Sequence, residues 1–221
     1  MKLCVSEESQ RLERLLEDAL AREARLWKAP VLENDLIQGT DICLTQHQEV
    51  ILWLREMNTA FQFCQETYAL AVCVLNRLLA TVKAQSKYLK CIAITTLILA
   101  AKINEEDEVI ASVKDLLAQS GCSFSTAEIH RMERIILDKL QWDLYTSTPI
   151  DFIHIVSHFT QRGYRLCSCY NNTCTKNHKK LGTGSNRCVS VRACFVCVRA
   201  YERGMFASPW LLQSIAKLSG S

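Results

Sequence analysis

Two charged residues interrupt an otherwise apolar pattern. Glu133 follows Ile129 by four positions and precedes Ile136 by three, so on a helix it projects from the same side as the apolar stripe. A bare carboxylate there is costly. Lys102 closes the most apolar stretch of the chain, directly after Ala100 and Ala101. Pattern alone favours a structural account. Lys102 would sit at a helix C-terminus with its stem along apolar surface, and Glu133 would pair with Arg131, Arg134 or Lys102 at the rim of a core.

Other residues invite chemistry less strongly. Cys167, Cys169, Cys174, His178, Cys188, Cys194 and Cys197 are spaced in a way that suggests zinc, and the basic charge around them would suit phosphates. Only Cys194 and Cys197 form a C-x-x-C, and the remaining spacings match no finger pattern. His154 and His158 stand four apart and supply half a metal site without a third ligand of helical spacing, so they read as core or surface histidines. Thr148-Pro149 could be a proline-directed phosphosite. Thr148 as N-cap, Pro149 as first helical residue and Asp151 in the first turn account for the same residues structurally. Asn171-Asn172-Thr173 fits the glycosylation pattern but lacks a secretory route. There is no glycine-rich phosphate loop, catalytic carboxylate pair or nucleophile triad, so neither a cofactor nor a metal site is assigned.

These residues must be positioned by helices. The 221 residues are 49% hydrophobic and 22% charged, a globular composition that excludes disorder throughout and fibrous repeats. Cys91 to Ala101, the longest run free of charge and strong polarity, is too short to span a membrane. Glu7 and Glu8 interrupt any apolar leader, so the 12 cysteines are expected to be thiols or metal ligands in a reducing compartment. The charge breaks near residue 160: residues 1–160 carry 16 Lys/Arg against 22 Asp/Glu, and residues 161–221 carry 10 against 1. Four segments follow from this: an N-terminal helix and linker over 1–40, a helical domain over 41–144, a helix start over 145–160, and a Cys-rich basic tail over 161–221.

In the first segment Ser6 is expected to cap a helix bearing Leu12, Leu15, Leu16, Ala19 and Leu20, ended by Pro30. A second helix begins near Thr45. Thr67 to Val82 and Tyr88 to Ala101 are apolar on nearly every face, which marks helices enclosed by neighbours. Val109 to Leu117 and Ser125 to Leu140 are amphipathic, the latter opened by the Ser125/Glu128 capping box. Strand-like alternation is absent. The expectation is an all-α domain of five helices with an N-terminal helix ahead of it.

Several ordered blocks then carry a family likeness. Glu49-Val50-Ile51-Leu52-Trp53-Leu54, Glu66-Thr67-Tyr68-Ala69-Leu70-Ala71 leading to Asn76-Arg77-Leu78-Leu79, Leu97 to Lys102, Arg131-Met132-Glu133, and Leu140-Gln141-Trp142-Asp143-Leu144 follow one another as in a cyclin box. The chain resembles the cyclins over about residues 8–160, with its nearest likeness to the cyclin I branch. The resemblance implies a five-helix cyclin box, a regulatory subunit rather than an enzyme, and a cyclin-dependent serine/threonine kinase as partner in cell-cycle control. It matches Lys102 and Glu133 to the pair with which the family grips a kinase helix, and a charge pair at the edge of an apolar face suits that task physically. With this, the recognition reading overtakes the structural one.

The departures are as informative. Where many cyclins join an Arg and an Asp in a buried pair, this chain has His47 and Asn76, which can share a neutral hydrogen bond and strand no charge. In the family's substrate-docking patch, M-R-A-I-L-x-x-W, positions Val50, Trp53 and the following Glu56 match, whereas Gln46 and Glu49 replace two apolar residues. Docking of Arg-x-Leu substrates should be weak or absent. Pro149 to Ile155 looks like the first helix of a second cyclin fold, most of which the chain lacks. The tail beyond it is expected to be disordered, with a zinc or nucleic-acid module as the alternative. A cyclin-fold scaffold without kinase activation is the other alternative function. No membrane association is expected, nucleic acid is disfavoured as a partner, and the family implies nuclear and cytoplasmic pools.

Overall fold

A computed structural model describes residues 2–27, 30–161, 165–167 and 188–190. The chain divides into two units, Arg22–Thr148 and Met1–Ala21 with Pro149–Ser221. Among the described residues there are seven α-helices: α1 Lys2–Leu26, α2 Leu44–Ala60, α3 Gln65–Leu79, α4 Leu89–Asn104, α5 Val113–Ser120, α6 Thr126–Lys139 and α7 Pro149–Gln161. Two short ladders accompany them, β1 Leu32–Glu33 antiparallel to β2 Leu36–Ile37, and β3 Arg165–Cys167 parallel to β4 Cys188–Ser190.

The unit Arg22–Thr148 is built around α4. Its residues from Cys91 to Ala101 are all buried, because α3 packs along it most extensively and α2 and α6 cover other sides. That enclosure is why its sequence is apolar all round. Thr95 and Thr96 are tolerated inside since their hydroxyls donate back to the carbonyls of Cys91 and Ala93. Leu70, Leu75, Leu78 and Leu79 of α3, and Ile51 and Leu54 of α2, fill the space against it.

Three helix starts carry an identifiable side-chain cap. Ser125 accepts from Glu128 N and the Glu128 carboxylate accepts from Ser125 N, the capping box expected for α6. Burial opposes ionisation only weakly there, and the Ser125 N–H and hydroxyl hold the Glu128 carboxyl below the usual carboxylate range. Ser112 caps α5 and Gly121, at φ +65, ends it, so α5 begins at Val113 rather than at Val109. α2 opens on a thiol version of the capping box. Cys43 Sγ accepts from Gln46 N, and Gln46 Oε1 accepts from Cys43 N.

The structure corrects three further expectations. Ser6 is not an N-cap, since α1 already begins at Lys2. Nothing between Lys2 and Val5 breaks a helix, and serine inside one costs little. The linker holds a hairpin that period-two patterning could not reveal, because each strand is two residues long. Its turn residues Asn34 and Asp35 both adopt left-handed φ, which these residue types tolerate. α3 ends at Leu79 rather than Val82.

In the other unit, α1 buries Leu12, Leu16 and Ala19 and leaves Leu15 outward, a narrower stripe than the sequence suggested. α7 begins at Pro149, with Asp151 in its first turn, as the Thr148-Pro149 pattern requires. Thr148 is itself buried, which argues against the phosphosite reading. The expectation of a disordered tail lies outside the described residues, apart from the β3–β4 pairing that sets Arg165 beside Cys188 and Cys167 beside Ser190.

Candidate functional site

α4 passes through the interior and emerges at Lys102, one residue after the buried Ala101. α6 crosses it and presents Glu133 from the side that also buries Ile129 and Ile136. The two side chains, 31 positions apart in sequence, meet there. Lys102 Nζ donates to Glu133 Oε1 at 2.5 Å, with side-chain exposures of 43% and 16%. Glu133 is thus nearly covered while the lysine faces solvent, and Ile103 beside it is an exposed apolar side chain. Such a pair offers a carboxylate acceptor and an ammonium donor at the mouth of an apolar helix packing, and each can exchange its partner for a backbone group of another molecule.

Sequence reasoning missed the third member of this cluster. His130, one turn before Glu133 on α6, places Nδ1 3.4 Å from Glu133 Oε2. The i, i+3 spacing was the available signal. It also missed Glu105, the C-cap of α4. Glu105 Oε1 accepts from Cys64 N at 2.7 Å and from the Thr67 hydroxyl, so a carboxylate from the end of α4 caps the start of α3, which has no cap of its own. Burial acts against the charged form of Glu105, but these hydrogen bonds together hold its carboxyl below the usual range. Their sequence separation, about forty residues, left no local signal.

The docking-patch residues do not assemble into one open site. Val50 is buried in the core, Trp53 is half-buried with Lys90 Nζ 5.7 Å from its ring centre, and Glu56 is exposed. Gln46 is committed to capping α2, and Glu49 is exposed. Behind this surface His47 Nε2 donates to Asn76 Oδ1 at 2.7 Å, the neutral pair expected from the sequence, with both residues buried. Burial pushes the His47 imidazole below its usual range, partly opposed by the Asn76 bond. Arg77, next to Asn76, donates to the carbonyls of Asp143 and Leu144 and so ties the end of the helical domain to α3.

His154 and His158 lie exposed on α7. Among the described residues no group of three His, Cys, Asp or Glu is placed to hold a metal. The side chains of the proposed zinc cluster lie outside them. Cys43, Cys64, Cys91 and Cys122 are thiols outside any disulfide. No described helix is long and apolar enough to cross a membrane.

A central buried helix wrapped by its neighbours, with a charge pair where it surfaces, defines the class as an all-α helical domain. The family model for the cyclin N-terminal domain matches residues 20–145, and the chain belongs to the cyclin family. Human cyclin-I2 is 44% identical over 140 residues, which cover 63% of this chain and 36% of that protein. Human cyclin-G2 is 41% identical over 102 residues, covering 46% of this chain and 30% of its own length. The chain therefore spans about a third of the length of these curated relatives. The crystal structure of a viral cyclin from herpesvirus saimiri matches with a TM-score of 0.56 at 20% identity, covering 68% of this chain and 62% of that one, a likeness of fold. Cyclin membership supports a regulatory role.

Proposed function

We propose that this chain is a cyclin-type regulatory subunit that binds and modulates a cyclin-dependent serine/threonine kinase in cell-cycle control, acting in the nucleus and cytoplasm. The observation that carries this reading is the Lys102–Glu133 pair at the junction of α4 and α6. Lys102 donates to carbonyls and Glu133 accepts from N–H groups flanking the kinase helix, while neighbouring apolar surface supplies contact area. The kinase helix is thereby held inward, where its glutamate pairs with the lysine that positions the ATP phosphates. The cyclin chain supplies no catalytic group.

Substrate recruitment through an Arg-x-Leu motif is weak in this reading, because Val50 is buried, Lys90 stands over Trp53, and Gln46 is occupied as a cap. The test is co-purification of the full chain with a panel of purified cyclin-dependent kinases, followed by a phosphorylation assay. Retention and stimulation of a kinase by the native chain, lost in Lys102→Ala/Glu133→Ala, is expected. Equal retention by the double variant overturns the proposal, and retention without stimulation turns it toward a scaffold.

A further inference from the structure

We propose that the connection from α3 to α4, with the adjoining part of α2, is a docking surface for an acidic peptide segment carrying one apolar side chain, separate from the Lys102–Glu133 pair. No Asp or Glu occurs between Thr67 and Asn104, whereas Arg77, Lys83, Lys87, Lys90 and Lys102 all do. Arg77 is buried on backbone carbonyls, and Lys102 is paired with Glu133. Lys83, Lys87 and Lys90 are left. All three are exposed, and none forms an ion pair with a described carboxylate. Asp41 reaches the connection from the linker, but its carboxylate accepts from the Ser86 N–H and hydroxyl.

Aromatic and apolar side chains stand among these lysines. Lys87 Nζ lies 4.9 Å from the centre of the Tyr88 ring, and Lys90 Nζ lies 5.7 Å from that of Trp53. The second contact joins the first turn of α4 to α2. Leu52 adjoins one end of it in sequence and Tyr88 is two residues from the other, and these are 40% and 48% exposed. An ammonium over a ring keeps its full charge, and its stem has less freedom left to lose when a carboxylate arrives. Charge then selects the occupant. Three exposed lysines without counter-ions suit carboxylates, and Leu52 with Tyr88 suits an apolar anchor between them. The same lysines repel an Arg-x-Leu peptide. Glu49 and Glu56, exposed on α2 four residues before and three after Trp53, disfavour a nucleic acid, whose backbone carries a charge at every step.

The experiment titrates the full chain into labelled peptides and reads fluorescence anisotropy. The probes are a short peptide with one leucine between glutamate pairs, the same peptide with glycine for leucine, an Arg-x-Leu peptide, and oligouridine as the nucleic-acid control. Residues 161–221 are basic in composition, so the decisive comparison is between the native chain and Lys87→Glu/Lys90→Glu, which share that tail. The charge-reversed chain is expected to bind the acidic peptide about tenfold more weakly, the size of two partly exposed charged contacts. Loss of the peptide's leucine weakens binding roughly threefold or more, and the Arg-x-Leu peptide binds the native chain less tightly than the acidic one. Circular dichroism checks that the variant folds, and the milder Lys87→Gln/Lys90→Gln gives the same direction of change. Equal binding of the acidic peptide by native and charge-reversed chains overturns the proposal, as does no binding at all, binding indifferent to the leucine, or tighter binding of oligouridine. Each of these leaves the kinase reading standing, because no kinase takes part.

Discussion

The domain holds two polar pairs of opposite character. His47 and Asn76 meet deep between α2 and α3, where neither is more than 7% exposed, and they meet as neutral groups. Lys102 and Glu133 meet where α4 surfaces, and they meet as an ion pair with the lysine 43% exposed. The difference follows from desolvation. A charge pair inside a core must recover several kcal/mol per ion from geometry alone, whereas a pair at the rim keeps much of its hydration. Of these two pairs only the one at the rim is charged, and the one guanidinium buried beside the neutral pair, Arg77, is held by the carbonyls of Asp143 and Leu144.

The strongest way to break this contrast is to put charge back in the interior. His47→Arg buries a guanidinium opposite Asn76 and is expected to cost about 3–5 kcal/mol in urea unfolding. Adding Asn76→Asp should recover at least half of that loss, since the pair is then matched as in many cyclins. Strictly additive losses in the double variant would show that the two positions do not share an environment and would remove the basis of the comparison.

A smaller effect is expected at the link between α3 and α4. Glu105→Ala deletes the acceptor for Cys64 N and the Thr67 hydroxyl, and should cost about 1–2 kcal/mol, the range for a lost helix cap. Hydrogen exchange should rise first in the opening turn of α3. Protection unchanged there would mean that water replaces the carboxylate without loss.

Glu105 also shows where the sequence stops being readable. The helices α3 and α4 were legible from their all-round apolar character, and the start of α6 from Ser125 and Glu128, because those signals are local. The His47–Asn76 contact was legible because a known pairing had changed at both ends together. The Cys43–Gln46 box was not, since a thiol is a poor acceptor and no serine or aspartate marks the site. Glu105 with Cys64, and Arg77 with the carbonyls of Asp143 and Leu144, join residues far apart in the chain, and nothing near either partner announces the other. Of the candidate site, Lys102 and Glu133 were named from pattern and resemblance, while His130 needed the rotamer of Glu133 to be seen.

The interior pair also predicts a pH response of stability. Burial holds the His47 imidazole below its usual range, so the folded chain resists a proton that the unfolded chain accepts. Above the ordinary imidazole value of about 6.5 neither state is charged and stability is unaffected. As pH falls below that value the unfolded state gains the proton first, and stability declines until the folded pKa is reached. His47→Gln should flatten this part of the urea-midpoint profile at the expense of a lower plateau. An unchanged slope would place the response at another histidine.

The smallest stability effect is expected at the rim. Lys102→Ala removes an ion pair whose lysine is nearly half exposed, and measured values for such pairs fall within about 0–1 kcal/mol. Glu133 retains His130 within reach, so its carboxylate is not stranded. On the proposed kinase-binding role, kinase retention should nevertheless fall at least tenfold, because there the ammonium serves the partner rather than the fold. A stability loss above about 2 kcal/mol would reverse this argument, since it would make Lys102 a structural residue of the same kind as His47. A variant that folds as well as the native chain and binds less is what separates the rim from the interior.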